Sequence, residues 1–158
     1  MLVIKMGDLS LLKYCIFCKS KCCKAGKFFG SPILDYKEAK KIGAYVKEIK
    51  LKSGKNYFIL KEGKRSQDCI FLKEGKCKIE ENKPLDCLCY PVKAIYSKDK
   101  IIYLLDTGCP ASKYLDKKFI KDSKKVALKS IKRFDKETYN HWLKKNVGWV
   151  KKTPGRLA

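Results

Sequence analysis

Cysteines are the residues of this chain best suited to chemistry, and four of the nine stand in CIFCKSKCC at positions 15 to 23. Cys15, Cys18 and Cys22 are spaced three and four residues apart, which puts them within a ~60° stripe if the segment is helical. Cys23 then points roughly 100° away from Cys22. Three thiols can therefore converge on one ion or cluster, and the fourth is expected to serve a different site.

A second block of thiols begins at Cys69 in CIFLKEGKC. A three-residue loop at 73–75 would pair Phe71 with Cys77. Cys77 would then share a sheet face with Cys69, because side chains alternate along a strand. A two- or four-residue loop would separate the two thiols onto opposite faces. We expect the three-residue loop, and with it two neighbouring thiols.

The remaining thiols are Cys87, Cys89 and Cys109, and Cys109 precedes a proline, as some ligands of bacterial ferredoxin clusters do. His141 is the one histidine, and a packing role is expected for it, so any metal site is nearly all sulfur. Such a donor set indicates zinc or iron–sulfur rather than a His-rich catalytic zinc site. The layout of the cysteines favours cluster ligation over a zinc ribbon, because it has a single C-x2-C, a C-x3-C and a distant Cys-Pro. We therefore expect iron–sulfur in at least one site.

The cysteines could also have a role that involves no metal. They could be small buried apolar residues, although their clustering argues against this. They could form disulfides, although the odd count and a reducing compartment argue against that. We expect no signal peptide at the start of the chain, because Lys5 and Asp8 interrupt its apolar run. No apolar run is long enough to cross a bilayer. We expect a cytoplasmic protein without a membrane segment.

The cysteine blocks CIFCKSKCC, CIFLKEGKCKIEENKPLDCLCYP and GCP resemble the CxxCxxCC cysteine-cluster proteins, also called YkgJ-type zinc- or iron-chelating domains. The resemblance covers roughly residues 15 to 110. The positions of the second block that match in kind and order are Phe71, Leu72, Gly75, Lys76, Cys77, Ile79, Glu81, Pro84, Cys87 and Pro91. The resemblance implies eight metal ligands: Cys15, Cys18, Cys22, Cys23, Cys69, Cys77, Cys87 and Cys109.

Three positions depart from the pattern of that family. Lys83 stands where the family prefers Arg, Leu88 replaces an Arg, and Cys89 is an additional thiol. We therefore expect Cys89 not to be an essential ligand. One branch of the family is similar to flagellin lysine methylases, but this sequence has no glycine-rich cofactor loop. A redox or protein-modifying activity is one expectation, and a purely structural metal is another.

The pattern of apolar residues predicts an α+β fold. A helix over residues 31–50 begins after Asp35, with Glu38 completing a capping box. Three Leu-Lys-x-Gly-Lys stretches, at 51, 60 and 72, predict hairpin turns with Gly54, Gly63 or Gly75 in the left-handed conformation. A further hairpin turns at 98–100. The expected sheet is a small antiparallel meander, stabilised by metal.

The C-terminal part is helical and strongly basic. Phe119 and Ile131 are among the residues expected to face the core, and a second helix over 136–146 buries Tyr139 and Trp142. The last eight residues are expected to fray. We expect residues 1–112 to form a cysteine-cluster domain and residues 113–158 a basic extension packed on it, as one compact unit.

Charge indicates a second possible function. The chain carries a net charge of +22, and residues 113–158 hold 15 basic and 4 acidic residues. This region could be a solvated lysine-covered surface, as in thermophilic proteins. It could instead bind nucleic acid or another acidic partner. The alternative function is therefore a zinc-stabilised nucleic-acid-binding module.

Overall fold

Short helices and small antiparallel sheets alternate along the chain. We describe residues 20–24, 30–62, 68–151 and 154–157 from a computed structural model. The helices are α1 (Lys21–Lys24), α2 (Tyr36–Ile42), α3 (Leu85–Leu88), α4 (Lys117–Ile131) and α5 (Lys136–Asn146). The strands are β1 (Val46–Lys50), β2 (Asn56–Leu60), β3 (Leu72–Lys73), β4 (Lys76–Cys77), β5 (Val92–Ser97), β6 (Lys100–Asp106) and β7 (Pro154–Leu157). The fold is α+β, as predicted.

The hairpins form separate sheets rather than one continuous meander. Strands β1 and β2 pair in one sheet, β3 and β4 in another, and β5, β6 and β7 in a third, all antiparallel. The β1–β2 turn has the predicted three-residue loop, with Gly54 at φ +84°. The β5–β6 turn falls at Lys98 and Asp99, inside the predicted stretch. Gly63 lies outside the described residues.

The predicted helix over residues 31–50 was correct only in its middle. Asp35 caps α2 as expected, accepting a hydrogen bond from the N–H of Glu38 at 2.9 Å. The helix then ends at Gly43, whose φ of +69° suits glycine. A short 3₁₀ turn follows, and residues 46–50 form β1 instead of continuing the helix. Val46 and Ile49 are three residues apart, which fits a helix and not the two-residue alternation of a strand, so pairing with β2 overrides the local pattern.

The C-terminal helices follow the sequence prediction closely. Each begins after an aspartate: Asp116 accepts from the N–H of Phe119 at 2.6 Å, and Asp135 accepts from the N–H of Thr138 at 3.1 Å. Helix α5 has the predicted bounds. The predicted packing residues Phe119, Ala127, Ile131, Tyr139 and Trp142 are buried.

A large apolar cluster fills the space between the β5–β6 sheet and helices α4 and α5. Trp142 is fully buried at its centre, and its indole N–H donates to the carbonyl oxygen of Ser31 at 2.9 Å. Tyr139 packs on it with ring centroids 5.1 Å apart. A smaller buried cluster of Leu34, Ile42 and Leu60 lies on the side of the cysteine blocks. The larger cluster combines residues from both sides of residue 112.

The strand at residues 154–157 contradicts the prediction that the last eight residues fray. Residues 154–157 form β7, which pairs with β6 from Tyr103 to Asp106. The pairing partner lies about 50 residues earlier, so no local pattern indicated it. Within the described part of the chain, no helix is both long and apolar enough to cross a membrane.

Candidate metal centre

Helix α1 carries Cys22 and Cys23 and is tied to the second cysteine block by hydrogen bonds. The Ser20 hydroxyl donates to the carbonyl oxygen of Gly75, 55 residues away, at 3.0 Å. The backbone N–H of Cys69 donates to the carbonyl oxygen of Cys23 at 2.6 Å. These contacts bring the two cysteine blocks together without an intervening sheet or long helix.

The β3–β4 hairpin has a different register from the predicted one. Its turn has two residues, Glu74 and Gly75, with φ of +52° and +74°, and Leu72 rather than Phe71 lies opposite Cys77. The chain also turns between residues 69 and 72, so strand alternation does not extend back to Cys69. Burial raises the pKa of Cys69, and negative charge on Cys77 adds to the effect, so the two thiols interact electrostatically although the predicted pairing is absent.

Cys87 lies on α3, which is held by charged side chains from other helices. The N–H of Leu85 donates to Oε1 of Glu38 at 2.8 Å. Oε2 of Glu38 lies 2.7 Å from Nη1 of Arg133, in ion-pair contact but outside hydrogen-bond alignment. Arg133 also pairs with Asp35 at 3.0 Å. Glu38 therefore does not close the predicted capping box; it connects α2 and α4 to the helix of Cys87.

Four thiols, which we call the four-thiol group, act on one another electrostatically. Negative charge on any of the other three members raises the pKa of Cys87. Negative charge on Cys23 also raises the pKa of both Cys69 and Cys77. The group draws on four separate segments of the chain. Its members are Cys23, Cys69, Cys77 and Cys87.

The thiols of this group differ in their readiness to ionise. A hydrogen bond from Cys22 lowers the pKa of Cys23 from 9.0 to about 7, with help from Lys83 and against burial. Burial raises the pKa of Cys69 and of Cys77. At neutral pH the unliganded group therefore holds one partly ionised thiol among protonated ones.

Cys87 combines an exposed surface with a suppressed ionisation. Its residue surface is largely open to solvent. Burial of its sulfur raises its pKa well above the usual range, and the negative charge of Asp86 and of the neighbouring thiols adds to the effect.

A second pair of thiols, Cys22 and Cys109, lies near the half-buried Tyr90 and the buried Asp106. The Tyr90 hydroxyl donates to Oδ2 of Asp106 at 2.5 Å, and Oδ1 of Asp106 accepts from the N–H of Gly108 at 2.9 Å. Burial and this hydrogen bond raise the pKa of Tyr90, and negative charge on Cys109 and Cys22 adds to the effect. Cys22 also makes a side-chain hydrogen bond to Cys23. The pair of Cys22 and Cys109 therefore adjoins the four-thiol group.

The described residues do not by themselves complete a metal-coordination site. Cys15 and Cys18, two of the eight predicted ligands, lie outside them. Among the residues described, no three or more His, Cys, Asp or Glu side chains converge closely enough to hold a metal ion. The six predicted ligands that are described influence one another electrostatically, and they do not form such a group in this structure.

Cys89 and His141 lie away from the thiols. Cys89 is 1% exposed within the large apolar cluster, where its Sγ donates to the carbonyl oxygen of Asp86 at 3.3 Å. Burial raises its pKa to about 12. Nδ1 of His141 lies 3.2 Å from the hydroxyl of Tyr57. These placements are those of packing residues.

An open cleft reaches the thiols from solvent. It encloses about 590 Å³, including the space at its mouth, and Cys22, Cys23 and Cys69 are among the residues that line it. The end of α5 forms another wall, where a Cβ at Gly30 would collide with the carbonyl oxygen of Asn146. The cleft gives small solutes access to the thiols.

Sequence reasoning did not assign roles to Ser20, Asp86 and Lys83. Ser20 joins the cysteine blocks, and Asp86, on the helix of Cys87, forms a buried ion pair with Lys93 at 2.5 Å. Lys83 contributes to the lowered pKa of Cys23 and partly opposes the rise that burial causes in the pKa of Cys77. In the sequence, the one sign of a role for Lys83 was that it stands where the cysteine-cluster family prefers arginine. The roles of Ser20 and Asp86 depend on distant partners.

Comparison with known proteins adds no relative. No protein-family model matches the sequence, and neither a curated protein nor a solved structure matches it. The resemblance to the cysteine-cluster family therefore rests on the cysteine spacing and on the neighbouring residues quoted above.

Proposed function

We propose that this chain is a metal-binding cysteine-cluster protein that holds iron–sulfur or zinc at two adjoining thiolate sites. The observation that carries the proposal is the four-thiol group, in which sulfurs from four segments influence one another. We assign one site to that group. We assign the other site to the pair near Tyr90 together with the two thiols of the first block that precede it: Cys15, Cys18, Cys22 and Cys109.

The donor set fits a metal that prefers sulfur. Zinc and iron–sulfur clusters are both bound by four thiolates. When bound, zinc would tie the segments together, and a cluster would add the ability to accept and donate an electron. Lys83 favours ionisation of Cys23 and partly opposes the effect of burial on the pKa of Cys77, and so favours binding of either metal. Buried, protonated thiols would release protons as the metal enters.

Iron–sulfur in at least one site remains the preferred assignment. The support is the layout of the cysteines, with one C-x2-C, one C-x3-C and a Cys-Pro far along the chain. The open cleft beside Cys22, Cys23 and Cys69 supports access of a small reactant or electron donor to the site. Redox or protein-modifying chemistry belongs to this proposal, and a reducing compartment such as the cytoplasm suits it.

Metal analysis on anaerobically purified protein tests the proposal. With iron and sulfide supplied, we expect a brown protein with broad absorption near ~400 nm that bleaches with dithionite, as thiolate-ligated clusters do. Two zinc ions per chain, without acid-labile sulfide or colour, would replace the iron–sulfur assignment and leave the metal structural. A protein that retains neither metal after reconstitution would refute metal binding itself.

A further inference from the structure

Helix α4 has two sharply different faces. Its buried face holds Phe119, Val126, Ala127 and Ile131. At 100° per residue, six exposed lysines of α4 and its C-cap fall within about 120° on the opposite side. We call these six residues the lysine stripe: Lys117, Lys118, Lys121, Lys125, Lys129 and Lys132.

The lysine stripe places like charges side by side. Lys117, Lys121, Lys125 and Lys129 follow one another at four-residue intervals, where like charges destabilise a helix by about 0.2–0.5 kcal/mol per pair. Within the described residues, the one ion pair made by the stripe joins Lys125 to Asp122 at 3.3 Å. A helix selected for thermophilic ion-pair networks would place acids at these intervals. The spacing of α4 therefore argues against such a network.

Acidic side chains of this protein are engaged with other cations. Asp135 and Glu137 both contact Lys55, at 3.1 and 2.8 Å. Asp86 pairs with the buried Lys93, and Arg133, next to the end of the stripe, is paired with acids of α2. The lysine stripe, whose one ion pair among the described residues is that of Lys125 with Asp122, therefore keeps a net positive field on one side of the helix.

We propose that the lysine stripe binds the phosphate backbone of double-stranded DNA without reading its sequence. Helix α4 has 15 residues and is about 22 Å long, which matches about six base pairs at 3.4 Å per step. Lysine acts as a point charge for phosphate, and base reading would call for arginine or amide side chains in the groove. Counterion release would supply the binding free energy.

The composition of the lysine stripe favours a duplex over other polyanions. The stripe carries no aromatic side chain on which the bases of a single strand would stack. It has no hydroxyl or amide group to recognise the 2′-hydroxyl of RNA. The apolar face of α4 is buried in the core, so the helix cannot lie in a membrane surface as an amphipathic anchor does.

The test measures binding of a labelled 20-base-pair DNA duplex by fluorescence anisotropy over a series of salt concentrations. The wild-type protein should show a log–log salt slope of about −5, as about six neutralised phosphates require. The variant with Lys117, Lys121, Lys125 and Lys129 replaced by Gln should bind about 100-fold more weakly at fixed salt. Its salt slope should be smaller by about four, one for each lost phosphate contact.

A matched control removes the same charge elsewhere. In the control variant, Gln replaces four exposed lysines outside α4: Lys37, Lys40, Lys41 and Lys47. Its net charge equals that of the α4 variant. It should bind within about threefold of wild type with an unchanged slope. Circular dichroism should show both variants folded, and removing like-charge contacts should leave the melting temperature of the α4 variant unchanged or higher.

Three outcomes would overturn the proposal. Equal losses in the two variants would assign binding to overall charge rather than to the lysine stripe. Tighter binding to single-stranded RNA, or to vesicles containing 30% anionic lipid, would assign the stripe to another partner. Absence of salt-dependent DNA binding in the folded wild-type protein would remove the function altogether.

Discussion

Helices α4 and α5 bury a large apolar cluster around Trp142, whereas the cysteine blocks meet over two-residue strands and four-residue helices. Burial of a large apolar side chain contributes roughly 1.5–3 kcal/mol, and the helical region buries many of them. The smaller cluster near the thiols is centred on Leu34, Ile42 and Leu60. The helical region can therefore hold its structure by packing alone, while the thiol region needs another source of stability, for which we propose metal.

The largest effect should come from breaking the four-thiol group. Cys77→Ser should lower metal content and the melting temperature together, because thiolate–metal bonds supply about 5 kcal/mol or more of folding energy. Hydrogen exchange should then quicken in residues 68–88 while α4 and α5 stay protected. Metal analysis and exchange mass spectrometry measure both. Equal melting temperatures for the apo and holo proteins would show that metal is not coupled to folding.

The pH dependence of metal affinity should follow the ionisation of the four-thiol group. The pKa of Cys23 is lowered to about 7, so binding should displace about three protons from this site between pH 7 and 9 and about four below pH 7. The apparent affinity then rises with pH by about three and about four logarithmic units per pH unit respectively. Competition with a chelator of known affinity measures this slope for Co²⁺. A slope near zero would exclude thiols as the ligands.

Trp142→Ala should destabilise the helical region without affecting the metal. Removing this fully buried side chain should lower the free energy of unfolding by about 3–5 kcal/mol, in apo and holo protein alike. Denaturant titration measures the change. Trp142→Phe is the milder control, since it loses the hydrogen bond to Ser31 and less volume. Loss of metal from the folded Trp142→Ala protein would contradict the separation of the two regions.

Cys89→Ser should have the smallest effect. Cys89 is buried in the apolar cluster and donates only to a neighbouring carbonyl oxygen, so the substitution should retain the full metal stoichiometry. It should cost about 1–2 kcal/mol, for burying a more polar group. Cys87→Ser is the matched variant two residues away, and it should lose metal. The reverse pattern, with metal lost only from Cys89→Ser, would exchange the two assignments.

Local signals in the sequence determined helices α4 and α5, the β1–β2 turn and the β5–β6 turn. Asp116 and Asp135 cap helices whose apolar residues recur with a helical period, and these signals lie within a few residues of the structure they produce. Gly54 likewise permits the turn it occupies. The sequence also determined that any metal donor set would be almost entirely sulfur, because it contains nine cysteines and one histidine.

Tertiary structure decided which cysteines are neighbours and which is packed away. Adjacent residues Cys22 and Cys23 hydrogen-bond to each other, but Cys22 also acts on Tyr90 and Cys23 on Cys87. Cys89 is enclosed in the apolar cluster, while Cys87 belongs to the four-thiol group. The same holds for the strand at 46–50 and for the pairing of the tail with β6. Each outcome depends on contacts with segments distant in sequence, such as the hydrogen bond of Ser20 to Gly75. A local pattern cannot specify such contacts, since their free energy exists only once the distant partners have met.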